Sequence, residues 1–91
     1  MTIRLVGRLI CATQAESDVV ALHLPTHVAL SRAEPGCLRF DVWQSDDPLI
    51  WLVAEEFRDR ASFDAHQRRG RTSDWQARTH GIARVYEVVD G

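Results

Sequence analysis

The chain contains neither lysine nor asparagine, and it has only two cysteines and one methionine in 91 residues. All of its basic side chains are arginine, which we read as a mark of genome composition rather than of function. The formal net charge is −2, which argues against a general nucleic-acid binder. The only basic cluster, Arg68-Arg69-Gly70-Arg71, reads as a solvated helix end rather than a phosphate site. No apolar run approaches the roughly 20 residues that span a bilayer, and the N-terminus carries no signal-peptide pattern. Cys11 and Cys37 are too few for a disulfide scaffold and lack C-x-x-C spacing, so they read as reduced thiols. These absences lead us to expect a cytoplasmic protein with neither a membrane nor a nucleic-acid partner.

What is present is an ordinary globular composition, 45% apolar and 26% charged, over a length that suits one domain at 1–91. Its organising stretch runs from Glu34 to Trp43. Pro35 disfavours helical geometry at Glu34 and lacks a backbone donor, so a helix arriving from upstream must stop there. Pro35-Gly36 then makes a tight turn. Period-two alternation follows, with Leu38, Phe40 and Val42 on one side and Arg39, Asp41 and Trp43 on the other.

Around this pivot the remaining elements fall into place. Residues 2–12 read as a strand with Ile3, Leu5, Leu9 and Cys11 on its buried side, and Gly7 leaves room for a close approach from another group. Residues 13–33 read as one helix capped by Thr13 or Ser17, with Val20, Leu24 and Val28 on its stripe, supported by Val19, Leu22 and Leu30. Pro25 is expected to kink it. Ser45-Asp46-Asp47-Pro48 is a hairpin loop. Residues 49–57 form a strand that is apolar on both faces and therefore central. Residues 59–69 read as a second helix capped by Asp59 and ended by Gly70, with Ala61, Phe63, Ala65 and His66 facing inward. A short helical piece over 73–79 and a last strand over 82–89 complete the chain.

The order strand, helix, strand, strand, helix, strand predicts an α+β, ferredoxin-like βαββαβ fold with a four-stranded antiparallel sheet and both helices on one face. Its other face would expose a large apolar surface, so a homodimer packed through the open sheet face is expected.

Three segments also resemble the antibiotic biosynthesis monooxygenase family. They are Glu34-Pro35-Gly36-Cys37-Leu38-Arg39-Phe40-Asp41-Val42, then Glu55-Glu56-Phe57-Arg58-Asp59, then Ser62-Phe63-Asp64-Ala65-His66. The family pattern is E-P-G-C-x-x-[YF]-x-[VL], then E-x-[WF], then a helix opening x-x-F-x-x-H. The resemblance implies a dimeric α+β barrel. It further implies, for some members, cofactor-free oxidation of small quinol-like or polyaromatic substrates by molecular oxygen. That chemistry needs an aromatic pocket, a base, and donors for a developing oxyanion.

Histidine is the natural base near neutral pH, so His66 and His27 are the candidate catalytic residues. Phe40, Trp51, Phe63 and Trp75 are the candidate substrate-binding residues, with Trp43 and Phe57 as further aromatic wall. His23 and His27 share a helix face at H-x-x-x-H spacing, yet no acidic third ligand stands nearby, so no metal is expected. Glu55 and Glu56 sit at a strand end, where one faces inward to orient a histidine or pair with an arginine such as Arg39. The Asn-Trp-Tyr set of polyketide-oxidising members has no counterpart in a chain without asparagine. Haem-degrading relatives carry a tryptophan where this chain has His66, and their iron ligand falls in the region of His80. The expected function is thus a cofactor-independent monooxygenase acting on a small aromatic substrate. A non-enzymatic small-molecule binding module is the alternative, and a haem-degrading relative a lesser one.

Overall fold

Thr13 and Glu16 start the first helix as a reciprocal cap. Thr13 Oγ1 accepts from the Glu16 amide at 3.2 Å, and Glu16 Oε1 accepts from the Ala12 amide at 2.7 Å. The computed structural model describes residues 1–90. Its elements are β1 (Ile3–Ile10), α1 (Gln14–Arg32), β2 (Cys37–Gln44), β3 (Ile50–Phe57), α2 (Arg60–Arg71), α3 (Asp74–Thr79) and β4 (Ala83–Asp90). The sheet order is β2-β3-β1-β4 and every pairing is antiparallel. This is the α+β, ferredoxin-like arrangement, with β1 and β3 central.

Alternation in β1 and β3 decides which face meets the helices. Ile3, Leu5 and Leu9 of β1 lie opposite Phe57, Glu55 and Trp51 of β3, and all six are buried. The core gathers the five apolar members of this set with Val20 and Leu24 of α1, Phe40 of β2, Phe63 of α2, and Cys11, Val53 and Ile82. Gly7 faces Tyr86 across the ladder, and a Cβ there would come within 2.6 Å of the Tyr86 ring. The close approach expected at Gly7 is made by the last strand.

Helix α1 runs through Pro25 as one helix, as expected, with the proline on its exposed side where the missing amide costs one bond. Several other local expectations are corrected. Thr13 is the cap. Ser17 is buried within the helix instead, donating to the Pro48 carbonyl and accepting from Trp51 Nε1. The buried stripe of α1 is Ser17, Val20, Leu24, His27 and Ser31, while Leu22 and Leu30 face outward. Leu38 is also exposed, because β2 carries an irregularity between Cys37 and Arg39 that sets two steps of β2 against one of β3. Gly70 does not end α2, which continues to Arg71, and Ala61 and Ala65 are exposed.

The turn at Pro35-Gly36 is the joint that positions the site. Gly36 has φ +85°, and a Cβ there would meet the Ser62 side chain at 2.2 Å. Its carbonyl accepts from the Arg58 amide at 2.8 Å. The end of α1 is thereby clasped to the start of α2, with Glu34 beside α2's inner face.

Candidate active site

Leu5, Glu55 and Phe40 form one row across the helix-facing side of the sheet, from β1 through β3 to β2. Above this row, His27 of α1, His66 of α2 and Trp75 of α3 converge on a cleft of about 260 Å³. Its lining is completed by Gln67, Gly70 and Arg71 of α2, Gln76 of α3, and Arg84 and Tyr86 of β4. Every helix contributes, along with three of the four strands if the backing residue Phe40 is left aside.

His66 is the best-held group. Its Nδ1 lies 2.6 Å from Glu34 Oε1. Arg69 holds the same carboxylate from the other side, with Nη2 donating to Oε1 at 3.2 Å and Nε at 3.2 Å from Oε2, while Nη2 also donates to Ser31 Oγ at 3.0 Å. Glu34 is partly buried, which opposes ionisation, but the bonds from Arg69 and His66 outweigh that and keep its carboxyl below the ordinary range. An ionised carboxylate only accepts, so Nδ1 carries the hydrogen and Nε2 is the basic nitrogen. That nitrogen points toward Glu55, whose Oε1 is 3.6 Å away. The His66 ring packs tilted on Phe57 at 4.9 Å and edge-on to Phe40 at 5.3 Å.

His27 is held differently. It lies flat on Trp75, with ring centroids 4.7 Å apart and planes at 7°, and meets Phe40 edge-on at 5.3 Å. Its Nδ1 is buried without a hydrogen-bond partner. Burial, reinforced by His66 and Arg69, pushes its pKa down to about 4, so the ring is neutral near pH 7. Glu55 is 7% exposed; burial, with Glu34 adding to it, pushes its pKa up to about 8. The cleft therefore holds an oriented imidazole, a neutral imidazole and a protonated carboxylic acid at neutral pH, walled by aromatic rings.

Of the six residues expected at a site, His27, His66 and Trp75 line the cleft, and Phe40 backs both histidines. Trp51 and Phe63 do not belong to it. Trp51 lies four positions along β3 from Glu55, about 13 Å at strand rise, where its indole serves Ser17. Phe63 packs edge-on against Phe57 at 5.7 Å inside the core. Their aromatic character reports burial, and the strand and helix register sends them elsewhere. Glu55 is the inward member of the Glu55-Glu56 pair, as its burial requires, and it meets His66 rather than Arg39.

Glu34, Arg69, Arg84 and Tyr86 were not anticipated as site residues. Glu34 reads locally as a helix terminator, and the only signal for a second role was its place in the E-P-G-C segment. His23 faces Asp74 at 3.9 Å, beside Trp75 on α3, and does not line the cleft. Among the described residues, no group of three His, Cys, Asp or Glu could hold a metal ion. His80 is exposed at the end of α3 with Nδ1 3.3 Å from the Ala77 carbonyl, and it does not line the cleft. The residues present do not fit a haem ligated by His80. Among the described residues, no helix is long and apolar enough to cross a membrane.

Comparisons with known proteins agree with this architecture. Rv0793 of Mycobacterium tuberculosis superposes with a TM-score of 0.82 at 19% identity, covering 100% of this chain and 95% of that one. A candidate antibiotic biosynthesis monooxygenase of Nitrosomonas europaea gives 0.85 at 24% identity, covering 100% and 98%. PA3566 of Pseudomonas aeruginosa gives 0.79 at 24%, covering 97% and 89%. At such identities the likeness carries the fold alone. No curated protein matches the chain. The family model "Antibiotic biosynthesis monooxygenase" matches residues 3–78. With most of its length inside that match, the chain belongs to the antibiotic biosynthesis monooxygenase family.

Proposed function

We propose that the protein is a cofactor-independent monooxygenase that oxidises a small quinol-like or polyaromatic substrate with molecular oxygen in the cleft beneath α3. One observation carries this reading: the Glu34–His66 pair presents a basic Nε2 to an aromatic-walled cleft. A carboxylate hydrogen-bonded to Nδ1 fixes the imidazole's tautomer and stabilises the imidazolium formed when Nε2 takes a proton. The substrate's acidic hydrogen passes to Nε2, leaving a delocalised anion. That anion gives one electron to dioxygen, and the resulting radical and superoxide join in a carbon–oxygen bond. Oxygen itself is the oxidant, so no flavin or metal is required.

His27 is better suited to binding than to proton abstraction. A base with a pKa of about 4 drives little transfer at neutral pH, and its ring is already stacked under Trp75. It serves as a neutral platform and hydrogen-bonding group for the substrate, with Trp75 and the backing Phe40 as wall.

We also propose that a second copy of the chain covers the open sheet face. Val6, Trp43, Val85 and Val89 lie on that face and are each more than a third exposed, with half-buried Leu52 among them.

The test is oxygen uptake by metal-stripped protein against quinols and hydroxylated polyaromatics, with boiled protein as control. Uptake that survives chelation and falls at least about 100-fold in His66→Ala with the fold retained supports the reading. Silence across the panel, or full rate in His66→Ala, overturns it.

A further inference from the structure

Glu55 is the buried group that this chemistry leaves unused. Its carboxyl sits on the cleft floor in the middle of the sheet, flanked on the same face by Leu5 and Phe40. Oε1 is buried and accepts no hydrogen bond, and the nearest ionisable partner is His66 Nε2 at 3.6 Å. Among the groups around the cleft, His27 comes from α1, Glu34 from its end, Cys37 from β2, His66, Arg69 and Arg71 from α2, and Arg84 and Tyr86 from β4. None neutralises Glu55. Arg69 is engaged by Glu34 and Ser31, and Arg84 donates to the Thr79 and Ile82 carbonyls and to Thr79 Oγ1. A carboxyl kept unpartnered at the bottom of a cleft is costly to the fold, and such groups gather where chemistry needs them.

We infer that Glu55 is the second proton carrier of this site, giving its proton to the outer oxygen of the bound peroxide and later taking the proton shed by the substrate carbon. This rests on the oxygenase reading above, and the steps close. His66 Nε2 takes the first substrate proton, and the carbanion and dioxygen yield a carbon-bound peroxide anion. Glu55 protonates its terminal oxygen. The Glu55 carboxylate then removes the remaining C–H proton, whose electron pair forms the C=O bond while the O–O bond breaks. The departing hydroxide takes the proton from His66 and leaves as water. One oxygen atom ends in the carbonyl and one in water, two substrate hydrogens are consumed, and both residues return to their starting states. The short separation of Glu55 and His66 lets both reach one peroxide.

The experiment uses the full chain and anthrone, whose acidic CH2 lies between two aromatic rings, following oxygen uptake, quinone and peroxide together. Wild type is expected to form quinone without peroxide. Glu55→Gln keeps the volume and polarity of the side chain but loses the ionisable acid. It should form quinone about 10- to 100-fold more slowly and release the carbon-bound peroxide as an organic hydroperoxide, protonated by solvent and detected by ferrous-ion oxidation with catalase present. Glu55→Asp should restore part of the quinone yield, which a purely structural role would not require. Quinone formation at the wild-type rate with no peroxide in Glu55→Gln overturns the inference and leaves the oxygenase reading standing. Absence of wild-type uptake overturns both. If Glu55→Gln fails to fold, carbon-13 NMR of the wild-type Glu55 carboxyl decides: protonation at pH 7 is expected, and a carboxylate already ionised at pH 6 overturns it.

Discussion

Glu34 Oε1 and His66 Nδ1 lie 2.6 Å apart although 32 positions separate the two residues in the chain. The contact exists because the Pro35-Gly36 turn ends α1 against the first turn of α2. Glu34 therefore has three duties: it ends the helix, binds Arg69 and orients the imidazole. Glu34→Gln should weaken all but the first. We expect a loss of about 1–3 kcal/mol in unfolding free energy, since Arg69 keeps a neutral acceptor where it had a charged one. Oxidation should fall by about 100-fold or more, because the amide permits the wrong tautomer. Denaturant melts and steady-state rates on one preparation separate the two effects.

Gly36 is the hinge of the same joint. Its φ of +85° costs an L-residue about 1–2 kcal/mol, and a Cβ would strike Ser62 in addition. Gly36→Ala should lower Tm clearly. Adding Ser62→Ala removes the Oγ met at 2.2 Å but leaves the Cβ met at 2.6 Å, so it should relieve part of the collision and none of the backbone cost, and the double mutant lies between wild type and Gly36→Ala. Calorimetry of the three variants tests this; a double mutant as unstable as Gly36→Ala would assign the penalty to φ and the Cβ contact together.

Stability should fall between about pH 6.5 and 8. A group whose folded pKa is raised binds its proton more tightly when folded, so it stabilises the fold below its unfolded pKa and loses that contribution as pH rises through the folded value. Glu55, moved from 4.5 to about 8, spans this window. His27, moved from 6.5 down to about 4, acts oppositely, but only below pH 6.5. Glu34, Asp41 and Asp59 are held low and matter only in acid, while the Cys11 and Cys37 thiols are pushed above 9.0. Over 1.5 pH units one group contributes about 2 kcal/mol. Urea melts at pH 6.5 and 8 should show that decline in wild type and little of it in Glu55→Gln.

Trp75 controls the state of His27. Burial is the first cause of the low His27 pKa, and the stacked indole supplies part of that burial. Trp75→Ala should move the His27 pKa from about 4 back toward 6.5, followed by NMR titration, and should raise KM for aromatic substrates. An unchanged pKa would show that α2 and the sheet alone keep water from the ring.

The open sheet face offers a separate test. Val6→Arg with Val85→Arg should turn the expected homodimer into a soluble monomer by size exclusion with light scattering, leaving the melting profile of the single chain cooperative. A wild-type chain that runs as a stable monomer at micromolar concentration would sink the dimer.

Much of this molecule is legible in the order of its residues, and what is not has a physical reason. Alternation in Ile3–Ile10 and Ile50–Phe57 and the Pro35-Gly36 break are local signals, and they lead directly to the succession of elements and to the pivot. Leu38 was misplaced because a bulge cancels alternation without any mark in composition. Gly70 reads as a stop because glycine is a common terminator, yet Thr72 and Ser73 close the helix with bonds to the Arg69 and Gly70 carbonyls. His66, His27 and Trp75 could be chosen by type and by helical phase. Trp51 and Phe63 have the same type and the same phase, Trp51 four positions from Glu55 on one face of β3 and Phe63 three from His66 on α2, and only their distance along the element sets them apart from the cleft. Glu34, Arg84 and Tyr86 join the site through pairing across the whole chain, which no local window contains.

The last strand gives the cleft an unequal durability. Every residue of β4 is exposed or half-buried, and β4 stands at the sheet edge, tied by its ladder to β1, by Arg84 to α3 and by Asp90 to Arg60 at 2.8 Å. Edge strands exchange their amide hydrogens through local opening well below the global unfolding free energy. When β4 frays, Arg84 and Tyr86 leave the wall while Phe57, Leu9 and Val20 stay packed. Warming should therefore abolish the cavity before it melts the core, and the lifetime of the formed cleft is set at the margin of the sheet rather than at its centre.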